Sequence, residues 1–226
     1  MEIVYVRGGD KTAPEIARES GMLYGTRHDY TPYDTVYMLD INWKRFYWTD
    51  YLNKVKKYTP VMAMCADYER PECETDYQWY HRRRTLYQQI RDLKPLVKYV
   101  MVCPKFTGAI AHIPTWCIIA ISVPTSYAGF LPEYKELNGR RVHLLGGRPE
   151  IQADMIKRLR GLNIEIVSVD GSYHAMKAGH GQWFSEGRWL QVRSKTISNI
   201  ELTIGSGRNI VKLLRAAYEV TQPPLF

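Results

Sequence analysis

Three aspartates stand where apolar runs stop: Asp40 after Val36-Tyr37-Met38-Leu39, Asp67 after Val61-Met62-Ala63-Met64-Cys65, and Asp170 after Ile164-Glu165-Ile166-Val167-Ser168-Val169. A carboxylate can act as nucleophile, as general acid or base, or as acceptor for the N–H edge of a ligand. For three of them to act together, something must bring them together. In a parallel βα array every strand C-terminus opens onto one face, so carboxylates far apart in sequence meet around one pocket. The competing reading is that each aspartate begins a turn or caps the next helix. Independent caps need no matching set of unusual loops, and such a set is present here.

The loops after the apolar runs hold Asp40 with Trp43, Asp67 with Tyr68, Pro104-Lys105, Ser122-Val123-Pro124-Thr125-Ser126-Tyr127, Gly146-Gly147 and Asp170-Gly171-Ser172. Loops at the opposite ends are plainer, which is the asymmetry of a barrel enzyme. Gly146-Gly147 reads either as a left-handed turn between strand and helix or as backbone approaching a planar ligand. Lys105 suits a phosphate, an aspartate partner or the open surface. His143 packs within a strand, whereas His174 and His180 are candidates for substrate contact. No histidine pair has helical metal-ligand spacing, so neither a metal nor a cofactor is expected.

The elements that must position these residues form a repeating series. Strand-like runs begin at Ile3, Val36, Val61, Tyr99, Cys117, Val142 and Ile164, with an eighth in Gln182 to Val192 interrupted by Gly187. Between them lie helical segments: Thr12–Ser20 closed by Gly21, Thr49–Tyr58, Thr75–Leu93 stopped by Pro95, and a helix from Pro149 closed by Gly161. Val211–Val220 makes a terminal helix. Short β-branched runs alternating with helices argue for a parallel sheet. About eight repeats make this α/β chain a compact (β/α)8 TIM-type barrel spanning residues 1–226 as a single domain, with a doubly wound open parallel sheet as the alternative.

The 226 residues bear a net charge of +8, with basic clusters at Lys54-Lys56-Lys57, His81-Arg82-Arg83-Arg84, Arg140-Arg141 and Lys157-Arg158-Arg160. Cationic excess favours a polyanionic partner, although a charged helix face also serves simple solvation. The 17 tyrosines and six tryptophans add faces on which unstacked bases could lie. Four cysteines without a CxxC pair read as reduced and structural. No apolar stretch approaches the roughly 20 residues of a membrane span, and no signal-peptide profile follows Met1. A cytoplasmic protein without membrane contact is expected.

The order Tyr37-Met38-Leu39-Asp40, Ala63-Met64-Cys65-Ala66-Asp67, His143-Leu144-Leu145-Gly146-Gly147 and Val169-Asp170-Gly171-Ser172, followed by Ala178-Gly179, resembles tRNA-guanine transglycosylase-like barrels. It is most similar to the short, phage-associated branch linked to insertion of 7-deazaguanine into DNA. The resemblance runs from about Val36 to about Trp189. It implies a catalytic nucleophile at Asp170, an acid/base at Asp40, a guanine-reading carboxylate at Asp67, and base-facing N–H groups at Gly146 and Gly147. Ser122, Thr125 and Tyr127 then line the pocket, and Tyr68, Trp43 and Tyr127 are candidates for stacking. The tRNA enzymes hold a structural zinc among closely spaced cysteines and a histidine, a cluster this chain lacks, which favours DNA over tRNA as partner. For a phage-encoded protein the compartment would be the host cytoplasm.

The chemistry implied is exchange of guanine in nucleic acid for a free 7-deazaguanine base through a covalent aspartyl intermediate. Breaking the C1′–N bond develops oxocarbenium character that a carboxylate stabilises, and the departing base needs a proton. A guanine N–H edge suits bidentate acceptance by a carboxylate such as Asp67. A base within a duplex must first be flipped out. Two other readings fit the same residues: an N-glycosidase or nucleoside hydrolase that admits water, and a noncatalytic nucleic-acid-binding barrel whose aspartates are caps.

Overall fold

Eight short strands, paired in sequence order, close on themselves: β1 (Glu2–Val6), β2 (Leu23–Arg27), β3 (Met38–Asp40), β4 (Met62–Met64), β5 (Tyr99–Val102), β6 (Ile118–Ser122), β7 (Arg141–Leu145) and β8 (Glu165–Gly171). All pairings in this ring are parallel, and β8 returns to β1 with Glu2 opposite Ser168 and Tyr5 opposite Gly171. Closure identifies a TIM-type (β/α)8 barrel and rules out the open doubly wound sheet. The computed structural model describes residues 1–42, 44–71, 73–124, 130–192 and 196–220.

Six helices surround the ring: α1 (Ala13–Ser20), α2 (Trp48–Tyr58), α3 (Asp76–Leu93), α4 (Pro149–Gly161), α5 (Tyr173–Gly179) and α6 (Asn199–Glu219). Each starts or stops for a local reason. Pro14 opens α1 and a left-handed Gly21 closes it, Pro149 opens α4, and Thr75 with Gln78 and Ser198 with Glu201 form capping boxes on α3 and α6. Among the described residues, the segments after β5 and β6 hold 3-10 turns in place of longer helices, at Ala109–His112 and Tyr134–Leu137.

Two expectations about the strands require correction. The sequence pattern leaves Leu23–Arg27 as a loop because Gly25 interrupts it, yet this segment is β2. A Cβ at Gly25 would lie 2.9 Å from Val6 Cγ2, 3.0 Å from Val4 Cγ1 and 3.2 Å from the Met38 carbonyl oxygen. The glycine marks close approach of three strands, not a break. Conversely, Gln182–Val192 is not the eighth barrel strand. It folds into an antiparallel hairpin of β9 (Gln182–Ser185) and β10 (Arg188–Gln191) outside the ring. Glu186 and Gly187 at its tip have φ of 51° and 78°, the left-handed pair of a two-residue hairpin turn.

The terminal helix is also longer than the apolar run at Val211–Val220 suggests, beginning at Asn199. It packs on α1, α4, α5 and β9 and fills the helical layer across the β8–β1 seam. Ser206 Oγ accepts from the Phe184 N–H at 3.0 Å, and Asn209 Nδ2 donates to the Phe184 carbonyl at 2.9 Å, so the hairpin is fixed to α6.

Because the space at Gly25 is already filled by Val4, Val6 and Met38 backbone, Gly25→Val is expected to destabilise the fold by about 1–3 kcal/mol. Urea denaturation reads this as a lower midpoint, and an unchanged midpoint contradicts the tight β1–β2–β3 packing.

Candidate active site

The C-terminal ends of the strands open onto a cavity of about 870 Å³ whose walls include Val6 from β1, Asp40 from β3, Met64 from β4, Leu145 from β7 and Asp170 from β8. Asp67, three residues beyond β4, lines the same space. All three aspartates therefore face one cavity, of a size that accepts a purine with its sugar. Gly146 and Gly147 also line it, together with Arg7, Arg148 and Tyr173.

Each carboxylate has a distinct environment. Asp170 is 6% exposed; its Oδ1 accepts from the Gly146 N–H, and its Oδ2 lies 3.6 Å from His143 Nε2. His143 is wholly buried, and its Nδ1 shares a 2.7 Å hydrogen bond with Ser168 Oγ. Asp67 Oδ2 lies 3.4 Å from Lys105 Nζ, which also reaches Ser122 Oγ at 3.4 Å. Burial raises the Asp67 carboxyl above its usual range, against the pull of Lys105. Asp40 has the weakest support: its Oδ1 accepts from the Ile41 N–H at 2.8 Å. Burial first, and then the nearby charge of Asp170, push its pKa up to about 7.

Polar side chains from three helices hold the strand ends in place. Ladder pairing of β3 with β4 stops at Leu39–Ala63. The buried Tyr51 hydroxyl of α2 enters there, donating to the Leu39 carbonyl at 2.9 Å and accepting from the Met64 N–H at 2.8 Å. Gln89 of α3 accepts from the Ala66 N–H at 3.1 Å, beside Asp67. Gln152 of α4 donates to the Gly146 carbonyl at 2.7 Å and to the Asp170 carbonyl at 2.6 Å.

Other residues singled out from sequence sit differently. His174, the second residue of α5, is 3% exposed, packs on the Tyr5 ring at 5.0 Å and does not line the cavity that holds the aspartates; burial drives its pKa down to about 4. Tyr68 is 1% exposed, stacked on Trp79 at 5.5 Å and edge-on to Phe106, so its ring is not available to a base. The Gly146 N–H expected to face the base is instead bonded to Asp170. Gly147 has φ of 86°, and a Cβ there would lie 2.5 Å from Val123 Cγ1, so it serves both a left-handed turn and close packing. Ser122 ends β6 and shares Lys105 with Asp67, although it is not part of the cavity wall. Trp43, Thr125 and Tyr127 lie outside the described residues.

Sequence reasoning missed Arg7, His143, Arg148 and Gln152. His143 had a legible signal, since it stands two residues before Leu145 and strand alternation puts both on the inner face. Arg7 follows β1 directly and makes no ion pair or side-chain hydrogen bond among the described residues. Among the described residues no group of three or more His, Cys, Asp and Glu side chains is placed to hold a metal ion. No described helix is long and apolar enough to cross a membrane.

Residues 17–213 match the profile of a family described as a family of unknown function (DUF6610), and the chain belongs to that family. The match takes in β2 through β8 and all three aspartates. No curated protein matches the chain.

Two consequences follow from this geometry. Tyr51→Phe removes the hydroxyl but not the ring, leaving a buried carbonyl and a buried N–H unpaired, and is expected to cost about 1–3 kcal/mol of stability by denaturant titration. Asp40 behaves differently. Its folded pKa of about 7 lies above the ordinary 3.8, so the unfolded chain loses its proton first as pH rises. Stability from this group therefore falls between those two values and stays low above the higher one. Asp40→Asn is expected to be more stable than the parent by about 1–3 kcal/mol at a pH above the folded value and no more stable below the unfolded one. Equal gains at both extremes would contradict a proton held on Asp40.

Proposed function

We propose that this member of the DUF6610 family is a base-exchanging glycosyltransferase acting on nucleic acid, DNA in the first place, that replaces guanine with a 7-deazaguanine. The observation that carries the reading is the division of labour among carboxylates around one purine-sized cavity. Asp170 is fixed by an N–H donor, Asp40 keeps a proton to about pH 7, and Asp67 is paired with a lysine. A carboxyl group that holds its proton, beside a second carboxyl placed to attack, is the pattern that cleaves glycosidic bonds.

In the proposed reaction Asp170 Oδ attacks C1′ of the target nucleotide as the C1′–N9 bond breaks. The bonding pair passes to N9, and Asp40 delivers its proton to the departing guanine. The incoming 7-deazaguanine gives its N9 proton to Asp40 and attacks C1′, and the ester bond to Asp170 breaks. Asp67, with Lys105 balancing its charge, accepts the N–H edge of either base. Arg7 at the cavity wall supplies a cation for a flanking phosphate, while Arg148 there is held by Glu150.

The test uses a guanine-containing DNA oligonucleotide with and without a free 7-deazaguanine. One equivalent of guanine released with a protein–DNA adduct when the incoming base is withheld, repeated turnover only when it is supplied, and loss on the order of 10³-fold in Asp170→Asn are expected. Single-turnover release should fall as pH rises through about 7, because the acid is lost, and Asp40→Asn should be slow at every pH without that decline. Repeated turnover without an incoming base identifies a hydrolase instead. Full activity in Asp170→Asn overturns the mechanism.

A further inference from the structure

Helix α3 turns toward solvent a face of unusual composition. Tyr77, Tyr80, His81, Arg84, Tyr87 and Arg91 fall on one side of the helix at 3.6 residues per turn, opposite the buried Leu86, Ile90 and Leu93. Tyr77 is 73% exposed, Tyr80 52% and Tyr87 37%. A face that serves only solvation mixes both signs of charge and spares large aromatics. Residues 77–91 include no carboxylate, and the flanking ones stand at the two edges: Asp76 in the first turn, and Asp92, which is occupied by Trp48 Nε1 and Gln88 Nε2. Among the described residues Arg84 makes no ion pair or side-chain hydrogen bond, and Arg91 only reaches Gln88 Oε1 at 2.7 Å.

The face is also grooved. Tyr80, Arg83, Arg84, Tyr87 and Arg91 border one depression of about 380 Å³ free of carboxylates; a second of about 480 Å³ toward the start of the helix is bordered by Tyr77, His81 and the Arg82–Glu74 ion pair. A second copy of the chain is a poor occupant, because a two-fold contact here sets arginines against arginines. An acidic protein answers the charge but not the three exposed rings. Nucleic acid answers both, with a phosphate and a planar base at every step.

We propose that this face of α3 binds single-stranded nucleic acid, its arginines on phosphates and its tyrosine rings on bases. The track leads toward the cavity. On the inner side of the same helix Trp79 stacks on Tyr68, the residue after Asp67, and Arg70 lies over the Trp79 ring at 5.1 Å. From Tyr77 to Arg91 the face extends about 21 Å at the helical rise. A strand laid along it ends beside the Asp67 wall, where an unstacked base can enter without the cost of leaving a duplex. This inference rests on the polynucleotide reading of the substrate.

Fluorescence anisotropy with a short labelled single-stranded DNA, over a series of salt concentrations, tests it in the full chain. Arg84→Ala/Arg91→Ala should bind at least about tenfold more weakly, with a salt slope shallower by about 1.4, since each phosphate contact contributes about 0.7. Tyr80→Ala/Tyr87→Ala should bind about tenfold more weakly with the slope unchanged. Thermal melting of both variants should match the parent, as these side chains are exposed. Wild-type affinity in both variants overturns the inference. So does a silent tyrosine variant with polyglutamate competing on equal terms, which marks an acidic-protein surface, or a silent tyrosine variant with tighter duplex binding. If base exchange is absent but the α3 variants lose binding, the track stands and the reaction falls. If exchange on the oligonucleotide proceeds while the α3 variants bind normally, only the track falls.

Discussion

Parallel strands in a barrel must separate at their C-terminal ends to leave room for a site, and separated strands expose backbone groups that cannot stay unpaired in a buried place. The rest of this site depends on how that constraint is met. Tyr51, Gln89 and Gln152 reach in from three different helices and complete the hydrogen bonding of the strand ends that carry Asp40, Asp67 and Asp170. Each polar side chain does two jobs at once. It satisfies main-chain atoms, and it fixes the angle at which a carboxylate leaves the strand, which is the rigid support that reacting groups require.

Burial makes Asp40 and Asp67 harder to ionise, and the charges of Asp170 and Asp67 add to the effect at Asp40. The molecule resolves this unevenly. Asp67 has a lysine, Asp170 has a backbone N–H and the buried His143, and Asp40 is left with one N–H and the charge of its neighbours. Asp40, the group with least support, is the one pushed up to about 7. That unevenness is what the proposed base exchange would use to move its proton.

The basic and aromatic content that suggested a nucleic-acid partner is spread over the sequence, but on the molecule it is sorted. Some of it is structural: Tyr51 and Tyr68 are buried, and Arg140 is turned inward onto the carbonyls of Ile113 and Pro114 at 3.0 and 2.9 Å. The exposed remainder on α3 is concentrated on one side of one helix. Composition counts both populations alike, because it does not distinguish a cation that holds a loop from one that faces solvent.

Read alone, the sequence determined the alternation of strands and helices, the parallel barrel, and the convergence of Asp40, Asp67 and Asp170, because apolar periodicity and the residue that ends each run are local properties. It misassigned two strands for one reason: glycine has the same local signature whether it marks close strand packing, as at Gly25, or a hairpin tip, as at Gly187. Only the tertiary structure decided that His174 and Tyr68 pack away from the cavity, that the Gly146 amide serves Asp170, and that His143 stands behind it. These are contacts between residues from different strands and helices, and a side chain's partners across the barrel are set by closure of the ring, which no stretch of sequence records.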